Sequence, residues 1–249
     1  METEGRIALG RRCDPRGKSF VIFPRSQPST ILVHMTSIKS NNPQFAPLFT
    51  AMECVLNAEN AIYCSSELTS GLKAFREMRN HGVKSREELK AKLGPAWFQQ
   101  NIFDPNAKLT NDFAESVRHA EGGRILVITP APLFVKGWGQ PEYNGFWTEL
   151  LHSKRIESVR FNQNWQYSSG CTTEFVEAHA AQVHALDLKE GIITSDAAIQ
   201  LIEAAIKEFA DLDTSLLQQN LDRLVAMRTL HTTEKVQLDG SKAKVSRRR

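Results

Sequence analysis

Short apolar runs alternate with amphipathic segments along the chain from about residue 58 onward. The apolar runs have the length and composition of buried strands, and they lie at 60–66, 124–130, 156–161 and 184–188. The amphipathic segments repeat apolar residues at helical spacing, and they lie at 69–83, 85–94, 110–123, 140–154, 172–185, 195–212 and 213–229. This alternation predicts an α/β fold with a mostly parallel, Rossmann-like sheet flanked by helices.

The first part of the chain is less regular. Two apolar runs, Phe20–Phe23 and Ile31–Met35, stand between Pro, Gly, Ser and Asn residues, which predicts a loose hairpin or an arm. We therefore divide the chain into an N-terminal extension at 1–57, an α/β domain at 58–212, a C-terminal helix at 213–234 and a basic disordered tail at 235–249.

The charge distribution argues against a nucleic-acid-binding face on the folded part of the chain. The 249 residues carry a formal net charge of +3. Residues 235–249 hold six Lys or Arg and one Asp, a net of +5, so residues 1–234 sum to −2. The excess positive charge therefore belongs to the tail, which is the part of the chain where we would expect any nucleic-acid contact.

The cysteines and the hydropathy pattern indicate a cytoplasmic protein. Cys13, Cys54, Cys64 and Cys171 form neither a CxxC pair nor a disulfide framework, as expected in a reducing compartment. The sequence has no apolar signal region at its N-terminus and no apolar stretch long enough to span a bilayer, so we expect no membrane partner. The histidines lack metal-ligand spacing, and we expect neither a metal nor another cofactor.

Two loops stand where a parallel α/β sheet binds its ligands, outside the carboxyl ends of the strands. The loop at 64–71 follows the first strand, and the loop at 162–170 follows the strand at 156–161. Each offers hydroxyls, backbone amides and a helix N-terminus, which together suit an anion. Neither loop has the glycine pattern of a Walker A motif or of a dinucleotide fingerprint.

Glu174 is the carboxylate that the second of these loops leads into. It follows Ser168 by six residues and Gly170 by four, which places it in the first turn of the predicted helix. One interpretation is a capping box, in which the glutamate bonds back to the N-cap amide. The other is a catalytic acid that is kept ionised by the helix dipole.

Ser168, Gly170 and Glu174 make an S-x-G-x-x-x-E motif that resembles the strand-loop-helix motif of the nucleoside 2-deoxyribosyltransferase-like family. The loop containing Tyr63, Ser65 and Ser66 resembles the small-residue loop that holds the sugar phosphate in that family. The similarity covers about residues 60–210. The chain departs from the family pattern at Cys171, where Thr is usual, and at Val176, where a second Gly is usual.

The resemblance implies hydrolysis or transfer at the N-glycosidic bond of a nucleoside 5'-monophosphate or nucleoside, with Glu174 as the nucleophile. A second acid is expected to protonate the leaving base. The Asp that the family places on the preceding segment has no counterpart here, and the nearby carboxylates are Glu142 and Glu149. By the same analogy, a homo-oligomer is expected.

The remaining site residues are assigned to substrate binding. Ser168 stands where enzymes of free nucleosides commonly have Asp, and a hydroxyl at this position suits a phosphate better than a carboxylate does. Ser66 and Ser169 could add further donors, and Trp165 is placed to stack on a base. The structural alternatives are turn closure and helix capping for the serines, and core packing for the tryptophan.

Other functions fit the same residues. The crevice could bind and sense a nucleotide without cleaving it, or the enzyme could act on NAD or an ADP-ribose-type ligand, which contains the same ribosyl bond. A thiol nucleophile at Cys171, with its pKa lowered by the helix N-terminus, is a weaker alternative because no base is adjacent to it in the sequence.

Overall fold

The computed structural model describes residues 43–56 and 60–246, with side chains up to residue 230. The strands are β1 (Ala61–Ser65), β2 (Leu126–Ile128), β3 (Ile156–Phe161) and β4 (His184–Leu186). These strands form a parallel sheet in the order β2-β1-β3-β4. The predicted α/β class and the parallel, Rossmann-like sheet are therefore confirmed.

Helices flank this sheet. They are α1 (Phe45–Leu56), α2 (Leu72–Asn80), α3 (Arg86–Leu93), α4 (Pro95–Phe98), α5 (Asp104–Ala120), α6 (Gln140–His152), α7 (Ser169–Ala180), α8 (Ser195–Glu208) and α9 (Ser215–Ser246). A π-helical turn at Gln99–Phe103 joins α4 to α5, and a 3-10 turn at Trp165–Tyr167 precedes α7. None of the described helices combines the length and the apolar composition needed to cross a membrane.

Strand β1 lies inside the core and is buried along its whole length. Ile62 and Cys64 pack in one apolar cluster with Phe113 of α5. Tyr63 belongs to the larger core, where its ring lies 5.3 Å from that of Trp147 on α6. Because successive side chains of a strand point to opposite faces, Tyr63 and Ser65 share the face that α6 covers.

The strand order creates a topological switch point between β1 and β3. The chain passes from β1 through α2–α5 to β2 on one side, and then returns past β1 through α6 to β3 on the other side. Loops that leave adjacent strands toward opposite faces of a sheet open a crevice between them. The loops after β1 and β3 are the two that the sequence predicts as ligand loops.

Helix α1 lies within the predicted N-terminal extension, where the sequence reading predicted no helix. Leu56 is fully buried, and Phe45, Leu48, Phe49 and Met52 pack against the main core. The predicted boundary at 57 therefore separates residues that pack together. The apolar runs of the predicted hairpin lie outside the described residues.

Two other predicted boundaries are wrong. Helix α5 begins at Asp104 rather than at 110, because Pro105 fits the first turn of a helix. Helix α9 continues to Ser246, through most of the segment predicted as a disordered tail. No proline interrupts the sequence from Ser215 to Ser246, so the backbone can stay helical beyond the predicted end at 234.

Asn220 connects α9 to the beginning of α7. Its side chain is 5% exposed, and its Nδ2 lies 2.9 Å from Thr172 Oγ1, 3.0 Å from Thr173 Oγ1 and 3.4 Å from the Ser169 carbonyl oxygen. These contacts hold the first turns of the helix that carries Glu174.

We expect Asn220→Ala to lower the free energy of unfolding by about 1–3 kcal/mol, because buried polar groups lose their partner. For a domain of this size, the melting temperature should fall by about 2–4 °C per kcal/mol. Gln219→Ala, an exposed substitution on the same helix, is the matched control. Equal melting temperatures for the two variants would show that this contact does not anchor α7.

Candidate active site

The loops after β1 and β3 meet at the switch point. The Asn162 backbone amide donates to the Ser65 carbonyl oxygen at 3.0 Å, and Asn162 Nδ2 donates to Ser66 Oγ at 3.1 Å. Further along the loops, the hydroxyls of Ser70 and Ser168 are 3.0 Å apart. The two loops therefore form a single polar edge, with β1 and β3 beneath it.

Glu174 lies beyond the first turn of its helix, so the prediction that places it in the first turn is wrong. Helix α7 begins at Ser169 and not at 172, because Ser168 is its N-cap and accepts a hydrogen bond from the Cys171 amide at 3.3 Å. The third helical position, where a capping box places its glutamate, is occupied by Cys171. Glu174 is the sixth helical residue, and the capping interpretation is wrong.

The Glu174 carboxylate is held by two hydroxyls from the end of β1. The Tyr63 hydroxyl donates to Oε1 at 2.6 Å, and the Ser65 hydroxyl donates to Oε2 at 2.5 Å. Tyr63 and Ser65 are both fully buried, so the positions of the donors are set by the central strand. Two residues of β1, each more than 100 positions earlier in the sequence, thus fix the Glu174 carboxylate at the carboxyl edge of the sheet.

The surroundings of Glu174 oppose its ionisation on balance. Burial raises the pKa of Glu174 to about 7, against the lowering effect of the hydrogen bonds from Ser65 and Tyr63. Burial and the neighbouring carboxylate raise the pKa of Tyr63 well above its usual value, so this phenol stays a neutral donor. At neutral pH, Glu174 therefore exchanges readily between its ionised and protonated forms.

Cys171 is a poor nucleophile in this structure. Burial raises the pKa of its thiol well above the ordinary value, and the nearby Glu174 raises it further. The prediction that the helix N-terminus lowers the pKa of the Cys171 thiol is wrong. Cys171, the third residue of α7, points into the core, where it is 1% exposed. A protonated thiol lacks the reactivity of a thiolate.

A second carboxylate, Glu67, lies in the loop after β1 and was not predicted as a site residue. It follows Ser65 by two residues, and its Oε2 accepts a hydrogen bond from the Leu72 amide at 3.1 Å. Burial raises the pKa of Glu67 to about 7, although the Leu72 amide and the charge of Lys73 lower it. Its position just past a buried strand, in a predicted ligand loop, is the sequence feature that could have revealed it.

The two acids predicted as partners of Glu174 lie on α6. Glu142 Oε2 accepts a hydrogen bond from the Gly139 amide at 2.8 Å, which caps its own helix. Glu149 is partly exposed on the same helix. Among the described residues, neither carboxylate forms a hydrogen bond with Glu174.

The predicted binding serines form two groups. Ser65 bonds to Glu174, and Ser66 accepts from Asn162. Ser168 caps α7, and Ser169 Oγ lies 3.4 Å from Ser70 Oγ. Gly170, the second residue of α7, adds no side chain to this hydroxyl cluster, which we define as Ser70, Ser168 and Ser169.

Trp165 lies in the core. Its ring stacks on Phe175 at a centroid distance of 5.0 Å and lies 5.0 Å from Phe161, and the side chain is 5% exposed. This aromatic cluster of Phe161, Trp165 and Phe175 joins the end of β3 to α7. Trp165 therefore packs against Phe175, the residue that follows Glu174 in α7.

A cleft that is open to solvent adjoins Ser70 and Ser169 of the hydroxyl cluster, and its lining residues do not include Glu174, Tyr63 or Ser65. Its floor is apolar, with Phe75 and Met78 of α2 and Leu217 of α9. Its polar rim includes Ser70, Gly71, Ser169, Arg86, Tyr167 and Asp213. Within the described part of the chain, no three His, Cys, Asp or Glu side chains are grouped as metal ligands.

No protein-family model, curated protein or solved structure gives a significant match to this chain. The chemistry of the site must therefore be inferred from its own residues. Those residues are an oriented carboxylate at a switch point, a second carboxyl group in the loop after β1, and a hydroxyl cluster at a helix N-terminus.

Proposed function

We propose that this protein cleaves the N-glycosidic bond of a nucleoside 5'-monophosphate or nucleoside, with Glu174 as the nucleophile. The observation that carries the proposal is the pair of hydrogen bonds from Tyr63 and Ser65 to the two Glu174 oxygens. The resemblance of the S-x-G-x-x-x-E motif to nucleoside 2-deoxyribosyltransferases supports the same reaction.

The proposed reaction proceeds in two steps. A Glu174 oxygen forms a bond to the anomeric carbon while the bond from that carbon to the base nitrogen breaks, and the bonding electrons leave with the base. Water or another base then attacks the same carbon, and Glu174 departs as a carboxylate. Each carboxylate oxygen accepts one hydroxyl proton in the structure, which leaves a lone pair for the attack.

The hydrogen bonds from β1 also reduce the conformational entropy that the Glu174 side chain loses when it reacts. A glutamate on a free helix surface samples several rotamers, whereas Glu174 is held by two fully buried donors. Such orientation lowers the barrier of a bimolecular step because the entropy is lost on folding rather than in the reaction. This is the physical reason for placing the acid above the central strand.

The hydroxyl cluster supports a 5'-phosphate on the substrate. Ser70, Ser168 and Ser169 lie at the N-terminus of α7, where an anion is favoured by hydroxyl donors and by the helix dipole. Arg86 lines the same cleft, but so do Glu87 and Asp213. A base-release assay should therefore pair each monophosphate with its free nucleoside.

The experiment is a base-release assay with chromatographic detection. Ribo- and deoxyribonucleoside 5'-monophosphates, the matching free nucleosides and NAD are incubated with the protein. We expect release from at least one nucleotide or nucleoside. No release from any compound, combined with a higher melting temperature in the presence of one of them, would replace the proposal with a nucleotide-sensing role. Release from NAD alone would move the activity to that ligand class.

The pH profile of kcat/KM should show an acid limb near pH 7, because Glu174 must lose its proton to attack and its pKa is about 7. Tyr63→Phe removes a hydrogen bond that lowers this pKa. The limb should therefore move to higher pH, by about one unit. Ser65→Ala should act in the same direction. A limb that stays in place, or moves to lower pH, in both variants would show that it does not report Glu174.

A further inference from the structure

Glu177 is a buried carboxylate one turn beyond Glu174 on α7, and the proposed reaction does not use it. It is 4% exposed. Its Oε1 lies 2.5 Å from Arg223 Nη2 of α9, and its Oε2 lies 3.1 Å from His152 Nε2 at the end of α6. The two oxygens are therefore bound by two different helices, and Glu177 joins α7 to both of them.

These partners keep Glu177 ionised. Burial on its own would raise the pKa of Glu177, but the hydrogen bonds from His152 and Arg223 outweigh it, and the pKa lies below its ordinary value. An ionised carboxylate only accepts hydrogen bonds, so both partners act as donors. Bonds from a guanidinium to a carboxylate are short and directional, so they fix the orientation of the groups that they join.

Arg223 acts together with Asn220, which lies three positions earlier on the same side of α9. Asn220 bonds to Thr172 and Thr173, which precede Glu174 in α7. Arg223 bonds to the residue three positions after Glu174. The two α9 side chains therefore hold α7 both before and after the proposed nucleophile.

Apolar packing constrains the rotation of α7 less sharply than these bonds do. Phe175, Val176 and Ala178 are buried in the core, but the hydrophobic effect is non-directional and mainly opposes the separation of the packed surfaces. Glu174 meets its two donors at 2.6 and 2.5 Å, and hydrogen bonds weaken steeply when their geometry is disturbed. The directional contacts with α9 therefore add the constraint that this geometry requires.

We propose that Arg223 is a positioning residue for Glu174, a role that rests on the proposed function of Glu174. Its ion pair with Glu177 fixes the rotation of α7 at which the Glu174 carboxylate meets its two hydroxyl donors on β1. Glu174 and Glu177 lie about 4.5 Å apart along the helix axis, so a displacement of one is carried to the other. Arg223 thus acts through α7 rather than on the substrate.

Two variants separate lost positioning from an unpaired charge. Arg223→Met removes the ion pair but keeps an apolar stem, and it leaves the buried Glu177 with His152 alone, which destabilises the fold. The double variant Arg223→Met, Glu177→Gln leaves no buried charge at this position. The matched control is Arg228→Met, because this arginine of α9 has similar exposure but pairs with Asp196 of α8.

The first readout is kcat and KM for base release, measured on variants that circular dichroism and melting temperature show to be folded. We expect kcat to fall by about 10–10²-fold in Arg223→Met and in the double variant, with KM changed by less than about threefold. Arg228→Met should stay within about twofold of the wild type. A kcat within about twofold of the wild type in either folded Arg223 variant would overturn the assignment, because a merely structural residue affects stability and not turnover.

The second readout needs no substrate. If Arg223 holds Glu174 at its donors, the loss of the Tyr63 hydroxyl should change the melting temperature less once Arg223 is gone. The effects of Tyr63→Phe and Arg223→Met should therefore be less than additive, whereas those of Tyr63→Phe and Arg228→Met should add. Additive effects in both pairs would overturn the positioning role.

The two readouts also distinguish the two proposals. If the wild type releases no base, the proposed function fails, and the melting temperatures still decide whether Arg223 positions Glu174. If the wild type releases base but the Arg223 variants keep its kcat, the role of Arg223 fails and Glu174 remains the proposed nucleophile.

Discussion

Glu174→Gln should yield a folded protein whose turnover is lower than that of the wild type by a factor of about 10³–10⁵. An amide cannot form the bond to the anomeric carbon that the carboxylate forms. The amide can still accept a hydrogen bond from Tyr63 or Ser65, so the local packing should remain. The loss should appear in kcat measured by base release under saturating substrate.

The same variant should be more stable than the wild type above pH 7. The folded-state pKa of Glu174 is about 7 against an ordinary 4.5, so the folded protein binds this proton more tightly than the unfolded chain does. Ionisation therefore costs the wild type stability as the pH rises from about 4.5 to 7. Glu174→Gln removes that cost, which is about 3 kcal/mol for this pKa difference, and its melting temperature at pH 8 should exceed that of the wild type by about 6–12 °C.

Well below pH 4.5, this difference should vanish because the carboxyl group is protonated in both states. Glu203→Gln is the exposed control for both measurements. More than about a tenth of wild-type turnover in Glu174→Gln would show that the carboxylate is not the nucleophile.

Phe175→Ala should lower the free energy of unfolding by about 3–5 kcal/mol, the cost of deleting a large buried ring. Phe175 is 1% exposed and packs against both Trp165 and Phe161. A cavity at this point separates β3 from the helix that carries Glu174. Chemical denaturation monitored by tryptophan fluorescence measures the loss, with Trp165 as a reporter beside the cavity.

Phe175→Leu is the matched variant, because it keeps most of the apolar volume and should cost clearly less. If the two variants unfold at the same denaturant concentration, the aromatic cluster does not hold α7 on β3. Activity measured on folded Phe175→Ala should also fall, since a small shift of α7 moves the carboxylate away from its donors.

The sheet could be predicted from the sequence because its strands are short apolar runs between strong helix patterns. The prediction for β3 matches the observed Ile156–Phe161, and the order of strands and helices directs attention to two loops at the switch point. Glu174 could be found for the same reason, since one of these loops leads straight into it.

The start of α7 was harder to predict because several residues of the Ser-Ser-Gly-Cys-Thr-Thr stretch can cap a helix. The choice of Ser168 rather than a later residue moves Glu174 from the first turn to the sixth position. The partners of its carboxylate, Tyr63 and Ser65, lie on a distant strand, and only the paired sheet brings them together.

Glu67 and α9 show a second limit of sequence patterns. A single acid in a polar loop has no periodic signature. The hydrogen bonds from Asn106 and Thr110 to the backbone of that loop depend on how α5 packs. The end of α9 could not be placed because the segment after residue 229 lacks both an apolar stripe and a proline stop. Local patterns thus predicted which elements form, whereas tertiary packing determined how the site is assembled.

The measurement that tests the role of Glu174 most directly is the trapping of the sugar on the enzyme. The best substrate is made with fluorine at the sugar 2-position, which slows attack at the anomeric carbon and the later release of the sugar. The protein is then examined by intact-mass spectrometry and peptide mapping. We predict an added mass equal to one fluorinated sugar phosphate, or sugar, on the peptide that contains Glu174. Substrate turnover without any adduct on Glu174, or an adduct on another residue, would contradict the mechanism.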